Sequence, residues 1–192
     1  MSEDISIKKS RRRIQKDEVI AKQLENAEAI QISSTLTKEL DNYFTTSRDL
    51  ASGKYSYSGV TAGFEKPRAN MEKIAAVLLK IQAYRDRVIP LQCLLLDHAN
   101  TLTSSKRVTE EVIRERYSET LKQRGSLAMQ DVFINSIIEP ILAKREYVEL
   151  FLKRCELIQK NLDNSYFTYM GVKKIGEDII NRAEGGRHSN VQ

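Results

Sequence analysis

Residues 71–102 read MEKIAAVLLKIQAYRDRVIPLQCLLLDHANTL, and this stretch decides the fold. Met71, Ile74, Leu78, Ile81, Val88, Leu91, Leu95 and Leu102 recur in three-and-four steps, with Arg85 in one gap. That spacing keeps them on one face of a helix, as a stripe that approaches a coiled-coil seam. Pro67 suits the first turn of this helix, where a missing N–H costs nothing. Pro90 lies inside and is expected to kink it, because its ring clashes with the preceding turn. The helix is expected to run over 67–102.

Working outward, residues 101–105 read as a turn, with Ser104 or Ser105 capping the next helix. Val108, Val112, Ile113, Tyr117 and Leu121 carry that helix to Arg124, and Gly125 is its stop. Ser126 then caps a second long helix, to about residue 162. Its seam is Ile134, Ile138, Ile141, Val148, Leu152, Cys155 and Leu162, with Arg145 in the gap and Pro140 inside. Residues 161–165 are expected to end it, and Val172, Ile175 and Ile179 mark a short last helix over 172–182. Upstream, Ile20, Leu24, Ala27, Ile30, Leu36, Leu40 and Phe44 predict a helix over 16–51. Ile32, Ser33, Ser34 and Thr35 are poor helix formers and mark a weak spot in it. Residues 52–68 hold three glycines and several serines and read as a loop.

No stretch alternates as a strand does. The expectation is an all-α fold: an elongated helical bundle with two long proline-kinked helices and coiled-coil-like seams. Each long helix has about 36 residues, or roughly 54 Å at 1.5 Å per residue. Narrow seams on helices of that length call for partners, so a homo-oligomer, or assembly with other helical proteins, is expected. The organisation reads as a basic flexible arm over 1–16, a helical domain over 17–184 and a polar tail over 185–192.

The formal charge of the 192 residues is +5, and it is unevenly placed. Residues 1–16 hold six bases against Glu3 and Asp4, a net of +4, whereas the rest carries 25 bases and 24 acids. No apolar run approaches the roughly 18 residues of a membrane span. Two cysteines form no disulfide framework and suit a reducing, cytoplasmic setting, the host cytoplasm for a viral protein. No Walker loop, dinucleotide fingerprint, CxxC or HExxH spacing is present, and the only histidines are His98 and His188. The chain is therefore expected to hold no catalytic site, no metal and no cofactor, with Cys93 and Cys155 as core thiols.

Three segments carry binding chemistry. Lys8, Lys9, Arg11, Arg12, Arg13 and Lys16 precede any apolar pattern, so they serve either phosphate neutralisation or a solubilising or targeting tail. Lys54, Tyr55, Tyr57, Phe64, Lys66 and Arg68 interleave rings and bases in the glycine-rich loop, the mixture that single-stranded nucleic acid asks for. The alternative there is packing of the rings on neighbouring helices. Tyr166, Phe167, Tyr169, Lys173 and Lys174 repeat the mixture, and the alternative places Phe167 and Met170 in the core.

The C-terminal half also resembles a known family. Val148-Glu149, Arg154-Cys155-Glu156-Leu157-Ile158, Leu162-Asp163-Asn164, Phe167 and Val172-Lys173-Lys174-Ile175, ending near Gly185, resemble the last two helices of the UvsY recombination mediators of T4-like bacteriophages. Arg116-Tyr117-Ser118 falls near the aromatic single-strand-binding segment of that family. The resemblance covers about residues 75–185. It implies a non-enzymatic oligomer that binds single-stranded DNA and helps load a recombinase. This chain lacks a Tyr-Tyr-Ser-Gly run at 117 and extends further at its N-terminus, so no DNA-binding residue is carried over. The leading expectation is a helical scaffold whose basic arm contacts nucleic acid. The rival is a single-stranded-DNA-binding recombination or replication accessory factor.

Overall fold

The computed structural model describes residues 2–52 and 67–188. Among them are seven helices: α1 Ser2–Gln15, α2 Glu18–Ala29, α3 Ser34–Ala51, α4 Pro67–Arg116, α5 Ser118–Lys122, α6 Leu127–Ile137 and α7 Glu139–His188. No strand occurs among the described residues, and the protein is an all-α helical bundle.

The long helices are longer than their propensities suggest. The turn expected at 101–105 is absent, and α4 runs through it. Burial outweighs propensity there: Leu102 and Thr109 are fully buried and Ser105 nearly so. The hydroxyls are satisfied within the helix. Thr101 donates to Asp97 O at 2.9 Å, Thr103 to Ala99 O at 2.8 Å and Thr109 to Ser105 O at 2.7 Å. The end expected at 161–165 is likewise absent. Ser165 donates to Asn161 O at 2.7 Å and Thr168 to Asn164 O at 2.8 Å, and α7 continues through the expected final helix. Gly185 and Gly186, expected to release a tail, lie within α7, and residues 189–192 are outside the described residues.

Pro140 corrects the boundary of the other expected helix. It stands in the first turn of α7, where it forfeits no intrahelical bond. The chain breaks before it, at Ile138, with φ −90° and ψ 8°. Pro90 does lie inside α4. The weak spot at 32–35 matches a break over 30–33, where Ile30 turns extended and buries its side chain. Gly125 stops the chain at φ +92°, a left-handed conformation that glycine adopts without penalty. Ser126 caps α6 by accepting from Met129 N at 3.4 Å.

The described chain forms two compact units, Met1–Ser33 with Cys93–Leu152, and Ser34–Gln92 with Lys153–Gln192. In the second, Ile74, Ile81 and Val88 of α4 are buried at seven-residue intervals. Cys155, Leu162 and Tyr169 of α7 repeat the interval, with Ile158 and Ser165 between them. Leu40, Tyr43 and Leu50 of α3 complete this core. Gln92 accepts from Gln159 at 2.6 Å and Arg85 pairs with Asp163, so α4 and α7 run antiparallel here. Arg154 reaches Asp41 at 2.5 Å and Asn161 donates to Ser47, so α3 runs parallel to α7. Close approach explains Gly176: a Cβ there would meet Met71 Sδ at 2.6 Å. The first unit buries Ile14, Ile20 and Ala27 together with Leu95, Leu102, Ile113, Phe133, Ile134, Ile137, Ile138, Ile141 and Val148. Within each unit the seams are therefore covered by the chain's own helices. Self-association is expected to rest on those seams, of which Ile74, Ile81, Val88, Leu95 and Leu102 are enclosed while Met71, Leu78, Leu91 and Leu152 are half-buried.

Candidate nucleic-acid interface

The expectation of an N-terminal arm outside the fold is corrected. Residues 2–15 form α1, which packs on α6 and α2. Ile14 anchors it, with Ile7 one heptad earlier on the same face but still exposed. Ile14 is 1 % exposed and Ile7 borders a groove beside α6. Gln15 Nε2 donates to Ile137 O at 3.1 Å, fixing the end of α1 to the end of α6.

The face opposite those isoleucines is basic. At 100° per residue, Lys8, Arg12, Lys9 and Arg13 fall within an arc of about 140°, and Lys16 follows the last turn. All five are exposed, while Arg11 is half-buried on the flank. None of the six pairs with a carboxylate among the described residues. Arg12 and Arg13 in the last turn complement the helix dipole. Lys8 with Arg12, and Lys9 with Arg13, are like-charge i,i+4 pairs that oppose helix formation by about 0.2–0.5 kcal/mol each. Stability therefore does not account for the ridge. From Lys8 to Lys16 it spans roughly 12 Å, the axial length of three to four phosphates of one strand.

A clasp at Asp17 orients α1. Asp17 caps α2 by accepting from Val19 N at 3.1 Å. The same carboxylate accepts from Arg116 Nη1 at 3.1 Å and from the Tyr117 hydroxyl at 3.0 Å. Burial pushes its pKa up, but the bonds from Tyr117, Arg116 and Val19 outweigh that, and the net shift is downward. Burial first, and then the bond to the Asp17 charge, raise the Tyr117 pKa. Arg116 and Tyr117, which the family resemblance places near a strand-binding segment, are thus bonded to Asp17, with Arg116 still half exposed. Position 17 is readable as a helix cap, but partners 99 and 100 residues away are not.

Of the loop residues, Lys54, Tyr55, Tyr57, Phe64 and Lys66 lie outside the described residues, and Arg68 falls in the first turn of α4. The third segment lies on α7 and is divided. Tyr169 is buried and Phe167 is 71 % exposed, so the expected core placement of Phe167 and Met170 is reversed. The Arg85 guanidinium stacks over Tyr166 at 4.7 Å, and Tyr166 meets Phe167 edge-on. Lys173 pairs with Glu177 at 3.5 Å, and Lys174 is exposed.

Comparison with protein-family models, curated proteins and solved structures finds no match to this chain. The remaining chemistry is sparse. Cys93 is exposed, contrary to the core placement expected for it. Cys155 is buried, and burial, aided by the Glu156 charge, pushes its pKa up to about 11, which leaves it unreactive near neutrality. Among the described residues no three His, Cys, Asp or Glu side chains gather where they would hold a metal. No described helix is long and apolar enough to cross a membrane.

Proposed function

We propose that the protein is a non-enzymatic helical scaffold that docks on nucleic-acid phosphates through α1. Lys8, Lys9, Arg12, Arg13 and Lys16 make the contacts, with Arg11 at their edge. One observation carries this reading. These exposed cations form a ridge opposite buried Ile14, unpaired by carboxylates among the described residues. Because α1 is held by its apolar face, the ridge presents its charges with little ordering left to do on binding. The apolar seams do not serve assembly in this reading, since Ile74, Ile81, Leu95 and Leu102 are already enclosed.

Fluorescence anisotropy with a labelled single-stranded DNA tests it. Four phosphate contacts give a log–log salt slope of about −2.8, or roughly a fiftyfold loss of affinity from 50 to 200 mM salt. The double charge swap Lys8→Glu with Arg12→Glu removes two contacts and brings two repulsions, and it flattens the slope. Salt-independent binding, or a slope unchanged by the swap, rejects the reading.

A second reading, a single-strand-handling accessory factor similar to the recombination mediators, is favoured by exposed Phe167 beside the Arg85–Tyr166 stack. There Phe167→Ala weakens single-stranded DNA binding by about 1–3 kcal/mol per base lost from stacking. The α1 swap then only reduces affinity.

A further inference from the structure

A groove of about 290 Å³ lies between α1 and α6 within the first unit. Its apolar walls are Ile7 of α1 with Met129, Val132 and Phe133 of α6. Met129 and Val132 remain 60 % and 65 % exposed, so this face is unfilled among the described residues. At one end stands Arg124, whose guanidinium carbon lies 4.6 Å above the Phe133 ring. The Arg124 Nε is buried without a hydrogen-bond partner. No carboxylate among the described residues pairs with this guanidinium. Asp131 and Glu119, acids of the neighbouring helices, are taken by Arg114 and Lys122, each at 2.7 Å.

A desolvated, unpaired donor is costly, and an arginine with one face on a ring keeps its in-plane N–H groups for an oxygen pair. Arg124 as a whole is half-buried, so its unpaired terminal N–H groups remain within reach, and the planar fork of guanidinium donors suits a carboxylate taken bidentately. The walls require an apolar body attached to it. The volume limits its size. The volume sits at the small end of ligand sites, which run from about 300 Å³ upward.

We propose that the α1–α6 groove binds a small monocarboxylate with an alkyl body, its carboxylate paired with Arg124 and its chain against Ile7, Met129 and Val132. The site needs no nucleic acid and stands apart from the basic ridge, which lies on the opposite face of α1. Because Ile7 forms one wall, an occupied groove also holds α1 against α6.

Isothermal titration of the full chain with decanoate tests this. One saturable site per chain is expected, with decanol, which lacks the charge, at least tenfold weaker. Arg124→Gln weakens decanoate at least tenfold and leaves the decanol affinity unchanged. Val132→Glu, at an exposed position, keeps the fold by circular dichroism and abolishes decanoate binding by charge repulsion. Bound decanoate slows amide exchange in α1 of the wild-type chain. Absence of saturable heat, equal affinity for decanol, or decanoate binding that survives both substitutions overturns the proposal. Binding of an acidic peptide in place of decanoate overturns it as well.

Discussion

Removal of the Asp17 carboxylate is the most informative perturbation of this fold. One side chain caps α2, accepts the Tyr117 hydroxyl and pairs with Arg116, so it ties the α1–α2 turn to the turn after α4. In Asp17→Ala the lost cap costs about 1 kcal/mol. The half-buried Tyr117 hydroxyl loses a charged acceptor, worth about 1.5–3 kcal/mol when made. The Arg116 pair adds little, because Arg116 is half exposed and exposed pairs are worth about 0.2–1 kcal/mol. The expected loss is about 3 kcal/mol, or a fall in Tm of about 6–12 °C for a chain of this length. Urea and thermal denaturation followed by circular dichroism at pH 7 measure it.

The pH dependence gives a second check on the same side chain. The folded pKa of Asp17 is lowered, so its contribution is full above the unfolded value near 3.9. It is lost as the pH falls through the folded value. The Tyr117 pKa is raised, so its contribution is full below about 10 and is lost as the pH rises through the folded value. The stability gap between wild type and Asp17→Ala is therefore flat across pH 5–9 and narrows at both extremes. A gap below about 0.5 kcal/mol at pH 7 refutes the clasp. So does a gap that widens as acid is added.

Other predictions follow from single positions. Gly171 lies inside α7 with nothing within 4 Å of an added Cβ, so Gly171→Ala stabilises by up to about 1 kcal/mol in urea denaturation. Gly125 has φ +92°, so Gly125→Ala destabilises by about 1–2 kcal/mol in the same assay although there is space for the methyl group. A thiol reagent at neutral pH modifies exposed Cys93 quickly and reaches buried Cys155 only after denaturation. Two fast thiols in the native protein refute that placement.

The seam residues of α4 and α7 were legible because a seven-residue recurrence of apolar side chains has one cheap solution, a helix facing other helices. The caps were legible for a similar reason, since Ser126 and Gly125 act on their own neighbours. Where local chemistry and burial disagree, burial decides the structure. Thr101, Thr103, Ser165 and Thr168 look like turn residues, yet each hydroxyl bonds four residues back inside a helix that packing sustains. The basic segment misled in the same way. Its six cations suggest an arm, while the single buried Ile14 and the Gln15–Ile137 bond dock it as α1.

The sequence by itself determined the class of fold, the heptad cores, the break near residue 32 and the concentration of charge in the first sixteen residues. These depend on spacing along one chain, which any helix converts into a face. Only the tertiary structure decided that Ile74, Ile81, Leu95 and Leu102 are enclosed by the chain's own helices, that Arg116 and Tyr117 serve Asp17, and that Arg124 stands unpaired beside an apolar groove. Those facts depend on which distant residues meet, and a helical period says which face is buried without saying what it is buried against.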